Sequence, residues 1–586
     1  MRQWMVAAKK ADFYVIAEKF HVDPVVARII RNREVIGEKN IRIYLGGNLS
    51  DLSDPHQMKD MDRLVEILAQ KIRKQVHIRI IGDYDVDGVT SSHLFLTALR
   101  RVGAKVDVVI PHRIQDGYGL SLHLLQQAKE DGVDTILTCD NGIAAIDEIA
   151  WAKAQKMTVL VTDHHAVPFE EHEGRRTEKK SLADAVVNPH QQDCRYPYKE
   201  LCGAGVAWNV IRVLYENYDM DKREAEDLLD FVAMATVCDV MSLTGENRIL
   251  VKEGLKRIRH TKNIGLQALM QACNVQPENI SAYHFGYVLG PCVNATGRLD
   301  TARHALRLFE TGQETEAEEI ARDLVDLNQE RKELTLQGVE MAKKLCEEGG
   351  YENDPILVLF LPDVHESIAG LIAGRIREMY NRPVFVLTRG EEGVKGSGRS
   401  TENYSMYENM CGCAELFTKF GGHPMAAGLS LPEENVEKFR RKINENCPLT
   451  VEEVCPDIYI DMAMPVGYAS TELVHQFALL EPFGKDNPSP LFADRNLSIS
   501  RMWVIGKNRN VLRMSVLSEY GQPVPVIFFG DVETLFAYFT EKFGQEEVEN
   551  ALHGRKNRIL FSMVYTAKID FYQGNENLQL EMKYYR

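Results

Sequence analysis

Short apolar runs alternate with amphipathic stretches from about residue 76 to 165, and the two periods predict different elements. VHIRIIG (76–82), KVDVVIP (105–111), DTILTCD (134–140) and TVLVTD (158–163) are largely apolar, β-branched runs of strand length. Such runs fit strands covered on both faces. Between them, SSHLFLTALRRVG (91–103), SLHLLQQAKEDG (121–132) and AAIDEIAWAKAQK (144–156) have the spacing of helices with one buried side. Strand–helix–strand repetition predicts a parallel sheet with helices on both faces. Asp83, Asp140 and Asp163 stand where three of the runs end. Ligands of open α/β sheets bind beyond the carboxyl ends of the strands, so these residues are expected to converge.

Residues 200–260 read as mainly helical, with the apolar stretch FVAMATVCDVMSL. Thr301 to Glu348 is rich in Glu, Lys, Leu and Ala with few breakers, which predicts long connecting helices carrying i,i+4 charge pairs. A second α/β unit follows in DPILVLFLPD, SIAGLIAGRIREMY and PVFVLT, running on to about Leu449. From Asp457 the pattern changes again. DIYIDMAM, LSISRMWVIG, VLRMSVLSE, PVPVIFFG, RILFSMVYTAKIDFY and LQLEMKYYR are short alternating runs split by turn residues. They predict a small closed β-barrel of the oligonucleotide-binding (OB) kind. The expected fold is α/β and multidomain: an N-terminal segment (1–60), a parallel-sheet domain (61–300), connecting helices (301–348), an α/β domain (349–450) and an OB-like β-barrel (451–586).

Composition narrows the class. A chain of 586 residues, 45% hydrophobic and 26% charged, is expected to be a soluble globular protein of several domains. No apolar run approaches the roughly 20 residues of a membrane span. The start, MRQWMVAAKKADFYVIAEKF, carries charges inside its apolar stretch and reads as an amphipathic segment rather than a signal peptide, so a cytoplasmic location is expected. The eleven Cys are scattered without a CxxC pair. Cys411 and Cys413 are a weak zinc signal, and buried reduced thiols fit better. A net charge of −16 argues against coating nucleic acid by bulk electrostatics. It leaves room for an acidic site that collects cations beside a local basic groove.

Gly82-Asp83-Tyr84-Asp85-Val86-Asp87-Gly88 directly follows a predicted strand. Three carboxylates at alternate positions repel one another unless a cation lies among them. An EF-hand loop starts the same way, but it needs a preceding helix and Glu at its twelfth position. Here a strand precedes, and the twelfth residue from Asp83 is Leu94. Asp163-His164-His165 ends another strand, and two imidazoles beside a carboxylate suit a metal or a phosphate. Asp140-Asn141-Gly142 ends the neighbouring strand, and Asp239 lies in an apolar run where an unpaired carboxylate is expensive. Singly, each of these is equally a cap or turn residue; together they make one ligand set.

DYDVDG, CDNG, VTDHH and VCDV, in this order, resemble the four motifs of the DHH phosphoesterase superfamily. Within it, PHRIQDGYGLS, VVNPHQ, LCGAGVAWNV, NATGRL, KGSGRS, FGGHPMAAGLSL and LEPFGKDNPSPLF are similar to the RecJ exonucleases, over roughly residues 40 to 586. Two departures stand out. Asp486 occupies a place where Gly is common, and no basic residue precedes NATGR at Cys292–Val293.

The resemblance implies a DHH catalytic domain, a DHHA1 nucleic-acid-binding domain and an OB-like barrel. It implies a 5′→3′ exonuclease specific for single-stranded DNA, acting in repair and recombination with two Mn2+ or Mg2+ ions. Asp85, Asp87, Asp140, His164 and Asp239 would hold the metals, Asp83 beside or among them and Asp140 between the two ions. His165 would contact the scissile phosphate or help the leaving group, and Asp163 would orient an imidazole. Ser397, Arg399, Ser400, Gly421, Gly422 and His423 would approach the DNA backbone, although glycine-rich turns also serve tight packing. Arg113 and Arg298 would contact phosphate, including a terminal 5′-phosphate. Trp503, Phe528 and Tyr565 are either barrel core or surfaces on which bases stack. The implied partners are 5′-phosphorylated single-stranded DNA, a single-strand-binding protein and a helicase, with a monomeric enzyme and no membrane. Two alternatives stay open: a DHH phosphoesterase for short oligoribonucleotides, cyclic dinucleotides or pyrophosphate, and a non-catalytic scaffold. The predicted barrel weighs against the first, and the complete set of Asp and His against the second.

Overall fold

The buried runs form a five-stranded, all-parallel sheet in the order β2-β1-β3-β4-β5. The strands are β1 (His77–Ile81), β2 (Lys105–Val109), β3 (Thr135–Cys139), β4 (Thr158–Thr162) and β5 (Ala185–Val187). This computed structural model describes residues 3–586 except 114, 115, 117, 118, 173, 174, 391, 392, 507, 508 and 573. Helix α1 (Val86–Arg101) packs against α4 (Gly203–Asn217) and α5 (Leu229–Cys238). Helices α2 (Leu122–Glu130) and α3 (Ile146–Ala154) close a second core with Ile81, Ile136, Val159 and Val161. The strand order reverses between β1 and β3, so a crevice opens where DYDVDG and CDNG leave the sheet. Strand β5, inside VVNPHQ, is too short to have stood out in the apolar pattern. Helix α1 starts earlier than its apolar face suggested, because Asp85 caps it by accepting the Gly88 N–H at 3.0 Å.

Helix α6 (Gly290–Leu299) leads through Ala302–Glu310 to the 35-residue helix α7 (Glu314–Glu348). No described helix is long and apolar enough to cross a membrane. The second α/β domain has the sheet order β9-β10-β8-β7-β6. Its elements are β6 (Leu357–Phe360), α8 (Ala369–Tyr380), β7 (Val384–Gly390), β8 (Gly393–Arg399), β9 (Lys419–His423) and β10 (Ala426–Leu431). Only β6 and β7 run parallel. Gly396 and Gly398 serve packing: a methyl there would lie 2.3 Å from Leu387 and from the Met406 sulfur, respectively.

The chain divides into two compact units. One holds Leu52–Met241 and Glu246–Pro456; the other holds Gln3–Asp51, Ser242–Gly245 and Asp457–Arg586. In the second unit, β11 (Phe492–Ile505), β12 (Val511–Leu517), β13 (Pro523–Phe529), β14 (Leu560–Tyr572) and β15 (Asn575–Tyr585) close a barrel. The ring runs β11-β12-β13-β15-β14 and back to β11, with β13 and β15 parallel. Alternation along the strands turns Tyr565 and Phe528 into the core, where the Tyr565 hydroxyl donates to the Met464 carbonyl. Neither is therefore a stacking surface; Trp503 remains exposed.

The N-terminal residues belong to this unit. Val25, Val26, Ile29, Ile30 and Tyr44 share one core with the barrel. Arg33 makes a two-pronged ion pair with Asp461, at 2.7 and 3.0 Å, with both side chains buried. The PFG motif folds around Asn487, whose amide donates to the carbonyls of Leu480 and Pro482 at 2.8 and 2.7 Å. Asp486 sits at φ 60°, a left-handed conformation that Gly adopts freely and Asp tolerates, which accounts for that departure.

Removing one partner of a buried ion pair strands the other charge, typically at about 3–5 kcal/mol. Arg33→Ala is expected to lower the stability of the barrel unit by about 3 kcal/mol, measured by chemical denaturation with barrel tryptophan fluorescence. A change near zero would show that this ion pair adds nothing to the stability of the unit.

Candidate metal centre

The loop after β1 turns sharply. A methyl on Gly88 would stand 2.4 Å from the Asp83 carbonyl oxygen, so only Gly fits. The loop is held from outside by α6. Asn294 Oδ1 accepts the Val86 N–H at 3.2 Å, and Gly297 lies so close that a methyl would be 2.4 Å from the Tyr84 carbonyl oxygen. At the end of β3, Asn141 donates to the carbonyls of Ile81 and Cys139, tying together the two strands that flank the crevice.

Six of the predicted residues meet in three overlapping groups, each with its ligand atoms within 4.8 Å of one another, and His165 joins one of them. Asp83, Asp85 and Asp140 form the first; Asp87, His164 and Asp239 the second; Asp140, His164 and His165 the third. Asp140 and His164 each belong to two groups. His164 Nε2 lies 3.1 Å from Asp140, 3.6 Å from Asp239 and 3.7 Å from Asp87. Asp163 belongs to none of the three groups. Its Oδ1 accepts from the His164 and His165 backbone N–H groups and from His165 Nδ1 at 2.8 Å, and its Oδ2 accepts from Ile143 N–H.

Electrostatics divides these groups by role. Burial, reinforced by neighbouring carboxylates, pushes the acids of Asp83 and Asp140 well above their ordinary range, and Asp85 rises for the same reasons. Asp87 is held differently. Both its oxygens accept backbone N–H groups at the start of α4, from Gly203 at 2.6 Å and Ala204 at 2.7 Å. A helix N-terminus favours that anion. Burial lowers the His164 imidazole, leaving it neutral and able to ligate. His165 is pushed up to about 9: burial works against the proton, but Asp163's hydrogen bond and charge, with the charges of Asp239 and Asp87, outweigh it. Asp163 moves down, since the His165 hydrogen bond and the imidazole charges overcome its own burial.

This donor set fits divalent cations. Asp83 Oδ1 and His164 Nε2 are buried with no hydrogen-bond partner among the described residues, and crowded carboxylates surround them. Mixed oxygen and nitrogen donors suit Mn2+ and accommodate Mg2+.

Beside the acids lies a cluster of opposite sign. Arg113 lies over the Tyr84 ring at 4.8 Å. Arg298 is half-buried and donates to the Ser367 carbonyl at 2.7 Å; Arg399 donates to the Gly398 carbonyl at 2.7 Å and Ser397 Oγ at 3.2 Å. Burial pulls Arg298 down to about 9, helped by the charges of Arg113, Arg331 and Arg399. Arg399 is lowered by burial and by Arg113 and Arg377. Among the described residues, none of Arg113, Arg298 and Arg399 has a carboxylate within ion-pair distance.

The sheet register extends this polarity. Arg399, Ala426 and His423 form one row across β8, β10 and β9; Ser397, Gly428 and Gly421 form the next. Gly421 is open, while Gly422, at φ 154°, is required because a methyl would strike Ala426. Ser400 is apart from this face, buried, with its hydroxyl donating to the Tyr404 carbonyl. The motif reading gave no role to Asn294, Asn141 or the Gly203–Ala204 amides. NATGRL, CDNG and LCGAG contain them, but hydrogen bonds across long sequence separations are invisible in a local pattern.

Residues 77–236 match the model of the DHH family, N-terminal domain; 353–447 match the DHHA1 domain and 460–584 the RecJ OB domain. The single-stranded-DNA-specific exonuclease RecJ of Haemophilus influenzae is 32% identical over 96% of this chain and 96% of its own length. The chain belongs to the RecJ family. The RecJ of Bacillus subtilis is 33% identical over 86% of this chain, which spans 63% of that relative's length. The crystal structure of Thermus thermophilus RecJ in complex with Mn2+ matches with a TM-score of 0.81 at 25% identity, covering all of this chain and 79% of that one.

Gly203→Ala would put a methyl 2.6 Å from the Asp140 Cβ. It is expected to weaken Mn2+ affinity about tenfold or more, as loss of a supporting contact does, measured by calorimetry with circular dichroism as the control for folding. Unchanged affinity would remove Asp140 from the ligand set.

Proposed function

We propose that this RecJ-family chain is a metal-dependent exonuclease that hydrolyses single-stranded DNA in the 5′→3′ direction, in DNA repair and recombination. The observation that carries the reading is the pairing of two ligand groups, linked through Asp140 and His164, with a cluster of three arginines that have no carboxylate partner among the described residues. Asp83, Asp85 and Asp140 would hold one ion, and Asp87, His164 and Asp239 the other, with Asp140 and His164 also meeting in a third group. Two divalent cations, when bound, supply Lewis acidity toward the phosphate and a water of lowered pKa.

The chain's own residues do the rest. His165, kept protonated by Asp163, donates a hydrogen bond to the scissile phosphate or to the departing 3′-oxygen. Arg113, Arg298 and Arg399 grip a terminal 5′-phosphate and so set the polarity. Ser397, Gly421, Gly422 and His423 line the sheet face along which the backbone lies, and Trp503 is available for stacking. The enzyme works as a cytoplasmic monomer on strands exposed by a helicase and covered by single-strand-binding protein.

Asp140→Ala is expected to cut kcat about a thousandfold or more while leaving DNA affinity close to normal, because the groove is untouched. Equal loss of both would join the two functions in one residue. Arg399→Ala should weaken binding of 5′-phosphorylated strands about tenfold and reduce the salt slope by about one charge. It should have little effect on strands lacking that phosphate. The overall reading is tested by comparing a long 5′-phosphorylated single strand, its duplex and dinucleotides in Mn2+. Rapid turnover of dinucleotides with long DNA untouched would replace it with the oligonucleotide phosphodiesterase.

A further inference from the structure

Residues 282 to 299 form one continuous helical run whose Phe285–Leu289 turn is π-helical. Such turns are rare and are frequent at functional sites. This run touches the site at successive points. Arg298 lies at its end, in the arginine cluster, and Asn294 accepts from the metal loop. Next come Gly290 and Phe285, which enclose Cys238: a methyl on Gly290 would lie 2.3 Å from the Cys238 sulfur, and that sulfur donates to the Phe285 carbonyl at 3.3 Å. Cys238 directly precedes Asp239.

Tyr283 and Tyr287 come last. They are 62% and 70% exposed, and their rings are stacked, with centroids 5.0 Å apart and planes at 23°. Gly286, between them, packs on Val237. Val240, just past Asp239, adds a third apolar surface, 63% exposed and at φ 55°, a strained conformation for a β-branched residue. At helical rise, Tyr287 is about 16 Å from Arg298 along the run, with contacts to Asp85's loop and Asp239's helix between them. A strand that follows this run from Arg298 past the acids reaches Tyr287 and Tyr283 next.

We propose that Tyr283 and Tyr287 form a stacking platform for the bases on the 3′ side of the scissile phosphate, holding the outgoing single strand in line. The proposal rests on the exonuclease reading. Two stacked, largely exposed rings, with His284 edge-on to Tyr283 at 5.7 Å, suit any base, which matches a substrate read without sequence preference. A duplex keeps its bases stacked on each other, so the platform favours single strands.

The test uses the full-length chain in Mn2+ and two 5′-phosphorylated DNA strands, one intact and one abasic at the nucleotides just beyond the second. For the wild type, the abasic strand should raise KM about tenfold. The Tyr283→Ala/Tyr287→Ala pair should raise KM on the intact strand about tenfold and show no further rise on the abasic strand. The salt slope should be unchanged, since no charge is lost. The Tyr283→Phe/Tyr287→Phe pair should retain wild-type KM. Equal wild-type KM on both strands overturns the platform while the exonuclease reading stands, as does an alanine pair that remains sensitive to abasic nucleotides. Failure of the wild type to degrade either strand overturns both.

Discussion

Five carboxylates converge on one crevice, and their mutual repulsion is the constraint around which the catalytic unit is organised. Asp83, Asp85 and Asp140 are raised by burial and by neighbouring carboxylates, Asp87 among them. Cations relieve the repulsion. The surrounding fold keeps the acids together at their own expense: α4 directs two backbone amides at Asp87, Asn141 ties the flanking strands, and Asn294 fastens the loop after β1. Gly203 and Gly88 leave the space that any other residue would fill.

The same crowding explains how a chain of net charge −16 handles DNA. The negative potential is concentrated where ions belong, while Arg113, Arg298 and Arg399 supply a positive site beside it. Burial raises the energy of Arg298 and Arg399 as long as they face no anion, so a phosphate entering there relieves strain of opposite sign to that of the acids. The helix carrying Asn294 and Arg298 touches both groups, which fixes their spacing. One run of chain thus reaches from the arginine cluster to the loop that carries the acids.

The barrel unit follows a different logic. Its closure leaves β14 hydrogen-bonded on both sides, and its core is shared with helices from the N-terminal end of the chain. The Arg33–Asp461 pair and the Tyr44 hydroxyl, which donates to Asn487 Oδ1 at 2.8 Å, fasten parts of this unit that are far apart in sequence.

Much of this was legible in the order of residues. Apolar runs of strand length marked β1 to β4 and the barrel strands, because burial on one or both faces dictates that pattern locally. The chemistry at their ends was equally plain, since Asp and His crowded at strand termini have few other uses. Tertiary structure alone decided how the acids divide into groups, that Asp163 serves His165, that Ser400, Phe528 and Tyr565 face inward, and that the N-terminal residues join the barrel. The reason is physical. Periodicity encodes which side of an element is buried, but not which distant element covers it, and side-chain partnerships exist only once that second surface arrives.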